Sequence, residues 1–259
     1  MVETNPRRNP LDYWTALKDS LHRPNSWMTK EYVSQAGIVW LGDPHLCGWI
    51  WADEDSWVFP PLSPQGFVTQ GVPIWAGFMT EEPAGGHEME LDRQYIYDAR
   101  EFLDLTGSRW STFRKNVRKY PERSNKPLLY ERLNPMWYSK EVDDLLLTWA
   151  TGRVLFDHET MTNLVLHGME RWGLFNGGEL VGLNVGDRTS SHAVYRYCID
   201  NGTPFLNEYL RYRFYTSGWV QSCRWVNDGG DLDNESLARF KRKLNPAKIY
   251  RVYSSVPVR

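Results

Sequence analysis

The stretch Tyr95–Tyr120, YIYDAREFLDLTGSRWSTFRKNVRKY, begins as strand-like sequence, turns at Thr106-Gly107 and continues as a helix. Taken at 100° per residue from Ser108, Trp110, Phe113, Val117 and Tyr120 fall on one flank of that helix. Arg114, Lys115, Arg118 and Lys119 fall on the other. Pro121 has no N–H to donate and is expected to end the helix. The apolar flank requires a core to bury it, and the basic flank requires a polyanion or water.

On the N-terminal side, Leu11, Trp14, Leu17 and Leu21 predict a helix over Leu11–Leu21. The runs GIVWL, CGWIW and WVFPP within residues 36–60 read as short strands. The Pro- and Gly-containing stretch Leu62–Gly86 reads as a long loop, a length often associated with function. Beyond the basic helix, a strand is expected around Leu128–Glu131, then helices over Glu141–Ala150 and Met161–Glu170. Strands follow at Trp172–Asn176, Leu180–Asp187 and His192–Ile199, the first two joined by a Gly177-Gly178 hairpin turn. Phe205–Tyr215 reads as helix and Cys223–Asn227 as strand. Asp233 or Asn234 caps a helix running to about Lys243, Pro246 stops it, and Ile249–Val258 alternates as a closing strand.

With 259 residues, 41% apolar and 24% charged, the chain has room for one large domain or two small ones. Its 13 Trp point to broad aromatic packing. No apolar run approaches the ~20 residues that span a bilayer, and MVETNPRRNP lacks the apolar core of a signal peptide. Cys47, Cys198 and Cys223 are odd in number and far apart, as expected of free thiols in a reducing compartment. A soluble, cytoplasmic protein is expected. The net charge of −2 hides an asymmetry: residues 1–100 carry 7 Lys/Arg against 14 Asp/Glu, and residues 101–259 carry 23 against 18. The excess lies in Leu105–Arg132 (eight basic, two acidic) and Leu237–Arg259 (seven basic, no acidic), the pattern of a local anion site.

His45/Cys47, His87/Glu88/Glu90 and His158/Glu159 lack zinc spacing and no Cys-x-x-Cys occurs, so no metal is expected. A nucleophile elbow, a Walker loop and a dinucleotide fingerprint are likewise missing from the sequence.

The order helix, helix, strand, strand, strand, helix, strand, helix, strand, with the hairpin containing GELVGL after two helices, resembles the Gcn5-related N-acetyltransferase (GNAT) fold. More narrowly, YIYDAREFLDLTGSRWSTFRKNVRKY and WVNDGGDLDNESLARFKRKLNP (Trp225–Pro246) are similar to the family related to the C-terminal aminoacyltransferase domain of phosphatidylglycerol lysyltransferases. Phe59-Pro60-Pro61 with Gly66 fits that family's N-terminal part. The resemblance implies an α/β mixed-sheet protein of two tandem acetyltransferase-like lobes, the first degenerate. They are expected over 1–130, including the basic helix, and 131–259.

The resemblance also implies an acyltransferase that takes an aminoacyl group from aminoacyl-tRNA to an amine or hydroxyl. The acceptor would be a peptide, small molecule or modified nucleobase, and no lipid acceptor is implied. Lys241 matches the family's lysine five residues before the proline. Lying beside the apolar face of Leu237, Phe240 and Leu244, it is expected to point into a cleft as an oxyanion partner, against the alternative of a snorkelling surface lysine. Asp231 and Asn227 match the family's Asp and Asn; a carboxylate there orients the acceptor or takes its proton, although turn formation explains the same residues. Arg114, Lys115, Arg118 and Lys119 are the candidate phosphate contacts, with Arg239, Arg242 and Lys243 as further surface or phosphate contacts. A merely solvated basic face is the competing reading.

CoA-dependent members of the superfamily carry a glycine-rich loop whose N–H groups cradle the pyrophosphate at a helix N-terminus. Here the corresponding residues, Ile199–Leu206, are IDNGTPFL: one glycine, no flanking Arg or Gln, and a proline. That disfavours ordinary acetyl-CoA binding. A CoA-dependent N-acyltransferase with a divergent loop is the first alternative, and a non-catalytic tRNA- or partner-binding protein the second.

Overall fold

A computed structural model of the chain describes residues 49–51, 57–59, 75–76, 88–134, 137–151, 170–188, 192–231 and 234–255. The expected helix over Leu11–Leu21, the GIVWL strand, residues 161–169 of the second expected helix and the capping role of Asp233 lie outside the described residues. Three short strands, β1 (Trp49–Trp51), β2 (Trp57–Phe59) and β3 (Trp75–Ala76), pair in that order, β1 with β2 antiparallel and β2 with β3 parallel. The stretch read as a plain loop over Leu62–Gly86 therefore contains one short strand.

The remaining strands are β4 (Glu88–Asp98), β5 (Leu128–Arg132), β6 (Glu170–Asn176), β7 (Glu179–Arg188), β8 (His192–Asp200), β9 (Trp225–Asn227) and β10 (Lys248–Ser255). They hydrogen-bond in the order β10-β4-β9-β8-β7-β6-β5, a mixed sheet in which β8 and β9 run parallel. The helices are α1 (Glu101–Asp104), α2 (Ser111–Arg123, entered through a 3-10 turn at Ser108–Trp110), α3 (Ser139–Ala150), α4 (Leu206–Tyr215), α5 (Gly218–Gln221) and α6 (Glu235–Lys243). Two compact units divide these residues, one of 1–96, 229–242 and 247–259, the other of 97–228 and 243–246.

The second unit is built around β7, whose inner residues from Leu180 to Asp187 are all buried. Successive side chains of a strand face opposite ways. On one face Leu183 and Val185 pack with Val142, Leu145 and Leu146 of α3. On the other face β7 offers glycines to α4. A Cβ at Gly182 would sit 2.6 Å from Leu210, and one at Gly186 would sit 2.6 Å from Phe214, so the missing side chains are what let α4 lie close. The hairpin between β6 and β7 turns at Gly177 and Gly178, both at positive φ (61° and 90°), as a tight turn requires.

The apolar flank of α2 is buried as its spacing predicts: Trp110, Phe113, Val117 and Tyr120 are all core residues. Burying such side chains contributes roughly 1.5–3 kcal/mol each. Trp110 and Phe113 both pack edge-on against Phe102, and Tyr120 lies 5.3 Å from the Tyr209 ring of α4. Pro121 does not end α2, contrary to the expectation. It sits in the last turn, where it forfeits one backbone bond, and the Ser124 N–H closes the end on the Tyr120 and Pro121 carbonyls.

Three further expectations are corrected. Glu170 opens β6 rather than closing a helix. Cys223 precedes β9 in a turn, its N–H bonded to the Val220 carbonyl after the unexpected short helix α5. α1 occupies part of the expected strand-to-turn stretch and ends at Leu105 in the left-handed region (φ 48°).

In the first unit β4 and β10 pair antiparallel from Lys248 opposite Ile96, with a bulge at Val252/Tyr253. The loop Gly229–Asp231 leads towards α6. Asn234 begins that helix as expected of a cap: its Oδ1 accepts the N–H groups of Ser236 and Leu237.

Candidate functional site

Arg93 and Tyr95 are two apart on β4, so their side chains leave the same face of the strand. Both reach Asp231. The Tyr95 hydroxyl donates to Asp231 Oδ2 at 2.6 Å, and Arg93 Nη1 donates to the same oxygen at 3.4 Å. The Tyr95 main-chain N–H donates to the Gly229 carbonyl at 3.1 Å. From α6, the Lys241 ammonium donates to the Gly230 carbonyl at 2.6 Å and lies 5.6 Å from the centre of the Tyr95 ring. Asp231 (1% exposed) and Lys241 (4%) are both buried, so the charges sit where electrostatic interactions are strong and every pairing counts. Burial, with the hydrogen bond and charge of Asp231, pushes the Tyr95 phenol up to about 12, so it remains a donor at neutral pH.

Among the expected catalytic residues, the structure thus brings Asp231 and Lys241 to one loop. Lys241 is buried, not snorkelling, and its ammonium is engaged with loop backbone. Asn227, the third, is buried at the end of β9 in the other unit. Tyr95 and Arg93 escaped the sequence reading as site residues. Their period-2 spacing in strand-like sequence was the available signal, but nothing local announces a partner 136 residues away.

The second unit holds a buried polar network next in sequence to Asn227. Arg211 and Tyr215, one helical turn apart on α4, both donate to Asp228 Oδ2, the hydroxyl at 2.7 Å. Arg211 also donates to Asn207 (3.1 Å) and lies over the Tyr195 ring. Tyr195 donates to Asn184 at 2.6 Å, and Asn184 donates in turn to Tyr130 and to the Leu210 carbonyl. Cys198, half-buried beside this network, has its thiol pushed up to about 12 by burial, so it stays protonated and is a poor nucleophile.

The basic face of α2 resolves into distinct roles. Arg114 is turned back onto the preceding turn, donating to the Leu105 carbonyl and, at 2.9 Å, to that of Gly107. Lys115 and Arg118 are exposed. Lys119 and, one turn on, Arg123 lie over the ring of Phe205, at 4.5 and 4.7 Å. Arg239, Arg242 and Lys243 are exposed, Arg242 reaching Glu235 at 3.3 Å.

At the β8–α4 connection several backbone donors are already used. The Gly202 N–H donates to Asp200 Oδ1 at 2.9 Å and the Thr203 N–H to Asn201 Oδ1 at 3.2 Å. The Leu206 N–H donates to the Thr203 carbonyl. Phe205 heads α4 at φ 70°, a left-handed conformation unusual for a bulky residue. A pyrophosphate cradle needs free N–H groups and no competing anion; here a carboxylate occupies the loop. Among the described residues, no group of three or more His, Cys, Asp or Glu side chains could hold a metal ion, and no helix is long and apolar enough to cross a membrane.

No protein-family model matches this sequence, and no curated protein sequence matches it either. Solved structures do. A conserved protein of unknown function from Bacteroides thetaiotaomicron aligns with a TM-score of 0.72 at 13% identity, over 99% of this chain and 100% of the other. The C-terminal domain (DUF2156) of a putative lysylphosphatidylglycerol synthetase from Agrobacterium fabrum aligns with a TM-score of 0.67 at 12% identity, over 96% and 92% of the two chains. L-PGS from Bacillus licheniformis aligns with a TM-score of 0.68 at 13% identity, over 100% and 95%. The chain therefore shares a mixed α/β fold with these proteins, the lysylphosphatidylglycerol synthetase domain among them.

Proposed function

We propose that this protein is an acyltransferase that moves an aminoacyl group from aminoacyl-tRNA to an amine or hydroxyl of a small molecule, peptide or nucleobase, acting in the cytoplasm. The fold shared with a lysylphosphatidylglycerol synthetase domain supports acyl transfer as the reaction class. The observation that carries the choice of donor is the closed β8–α4 loop: its Gly202 and Thr203 N–H groups are bonded to Asp200 and Asn201, which leaves a CoA pyrophosphate poorly served.

In this reading Lys115, Arg118 and Lys119 contact tRNA phosphates, with Arg239, Arg242 and Lys243 as further contacts. Arg114 shapes the turn that presents them. The two-lobe organisation read from the sequence is part of the same proposal. Asp231 and Lys241 form the polar centre: a carboxylate to orient the acceptor and a cation for the oxyanion that forms as the ester carbonyl is attacked. The ester is already activated, so positioning matters more than a strong nucleophile.

The test is transfer of label from aminoacyl-tRNA to a panel of amines and alcohols by the purified protein, with acetyl-CoA as the competing donor. Transfer from aminoacyl-tRNA is expected. Transfer from acetyl-CoA alone would replace this reading with the CoA-dependent one, and tRNA binding without transfer to any acceptor would point to a binding protein.

A further inference from the structure

Tyr95 meets Asp231, the Gly229 carbonyl and Lys241, each through a different part of the residue. Its hydroxyl donates to the Asp231 carboxylate at 2.6 Å, its main-chain N–H holds the Gly229 carbonyl at 3.1 Å, and its ring lies 5.6 Å from the Lys241 ammonium. Lys241 in turn holds the Gly230 carbonyl, and the Asp231 carbonyl accepts the Asn234 N–H at the start of α6. Three consecutive residues, Gly229, Gly230 and Asp231, are thereby bound one after another to β4 and α6. Gly229 lies at φ 62°, a conformation that a glycine supplies without strain but does not enforce. Two adjacent glycines lose much conformational freedom when ordered, so a loop of this composition depends on outside contacts for one geometry.

We propose that Tyr95 is the positioning residue of this centre: its hydroxyl fixes the rotamer of Asp231 while its ring and main chain fix Lys241 and the Gly229–Asp231 backbone. The role is distinct from catalysis, because Tyr95 acts through Asp231 and Lys241 and is itself fully buried. Charged neighbours that face the pair are Arg93 from β4 and Arg242 from α6, the first bonded to the same carboxylate oxygen as the phenol. Of these two contacts the phenol's is the closer, at 2.6 Å against 3.4 Å for Arg93 Nη1, and so the stronger hold on the carboxylate. This inference rests on the proposed acyl transfer for its consequence but not for its geometry.

Because the hydroxyl and the ring make separate contacts, two substitutions separate them. Tyr95→Phe keeps ring and backbone and deletes only the hydroxyl; Tyr95→Leu deletes the ring as well. Carbon-detected NMR of the Asp231 carboxyl and nitrogen NMR of the Lys241 ammonium, at neutral pH, read the two ends independently. In Tyr95→Phe the Asp231 signal moves and the Lys241 signal stays; in Tyr95→Leu both move. An Asp231 signal unmoved by Tyr95→Phe overturns the proposal, and Tyr95→Phe alone is decisive if Tyr95→Leu does not fold.

In the transfer assay, kcat of Tyr95→Phe falls about tenfold or more at unchanged KM for aminoacyl-tRNA, as expected when a reacting group loses its alignment. An unchanged kcat overturns the positioning role even if the resonances move. If the wild-type protein transfers nothing, the transfer reading fails, and the two resonances alone decide whether Tyr95 positions the centre.

Discussion

Arg211 and Asp228 form an ion pair inside the second unit, with side-chain exposures of only 7% and 2%. Such a pair is costly to bury and costlier to break, because the remaining partner is left as an uncompensated charge. Arg211→Met is therefore expected to destabilise the protein by about 3–5 kcal/mol. Tyr215 would still donate to Asp228. Adding Asp228→Asn to that variant removes the stranded anion and should recover part of the loss. Urea unfolding of the two variants measures this, and a loss below about 1 kcal/mol for Arg211→Met would mean the pair is effectively solvated.

Gly182 and Gly186 face the same helix but are predicted to differ in tolerance. A Cβ at Gly182 meets only Leu210 side-chain atoms, which can turn aside. One at Gly186 meets Phe214 at 2.6 Å and the Val194 carbonyl oxygen at 2.7 Å, and backbone cannot turn aside. Gly186→Ala should cost at least about 2 kcal/mol and Gly182→Ala less, since overpacking costs typically ~1–3 kcal/mol. Thermal melts of the two variants give the order directly; the reverse order would mean that α4 does not lie on β7 as described.

The basic face of α2 should divide under mutation. Lys115→Glu and Arg118→Glu are expected to weaken tRNA binding, each loss of a phosphate contact flattening the salt dependence by about one unit of slope. Arg114→Ala should leave affinity nearly intact and instead cost ~1 kcal/mol of stability, because Arg114 is bound to the Leu105 and Gly107 carbonyls. Binding measured at several salt concentrations, beside an unfolding curve, distinguishes the two effects.

Tyr95 has a predictable pH signature. Its phenol is raised from the ordinary value of 10.0 to about 12 in the folded protein, first by burial and then by Asp231. The unfolded chain releases this proton at lower pH than the folded one does, so the contribution to stability is complete below about pH 10. It is lost as pH rises towards 12. The stability of Tyr95→Phe should therefore fall less steeply than that of the wild type between those values. Parallel curves would show that the phenol is neither buried nor held by Asp231 in solution.

What could be read from the chain follows the range of the interactions. The apolar flank of α2 and the Gly177-Gly178 hairpin were legible because helical spacing and positive-φ turns are local properties. The end of α2 was not, since Pro121 is tolerated in a last turn whose flank is already anchored by Val117 and Tyr120. The same holds for Glu170, whose strand state depends on pairing with Gly186 of β7. At the site, Asp231 was chosen by resemblance alone, and Lys241 by resemblance together with its place beside the apolar face of Leu237, Phe240 and Leu244. Their burial and the Tyr95 contact that joins them come from strand β4, far away in sequence, and no local pattern encodes that meeting. Arg211 and Tyr215 sit at the spacing that puts two side chains on one helix face, but nothing local to that helix encodes their meeting with Asp228, 17 and 13 residues further along the chain.

The central claim is that the donor is aminoacyl-tRNA and not acetyl-CoA. Equilibrium binding of the purified protein to aminoacyl-tRNA and to acetyl-CoA, in one buffer across a range of salt, tests it most directly. The account predicts saturable, salt-sensitive binding of aminoacyl-tRNA that Lys115→Glu and Arg118→Glu weaken, and no saturable binding of acetyl-CoA. Tight binding of acetyl-CoA, with tRNA bound no better than an unrelated polyanion, would contradict it.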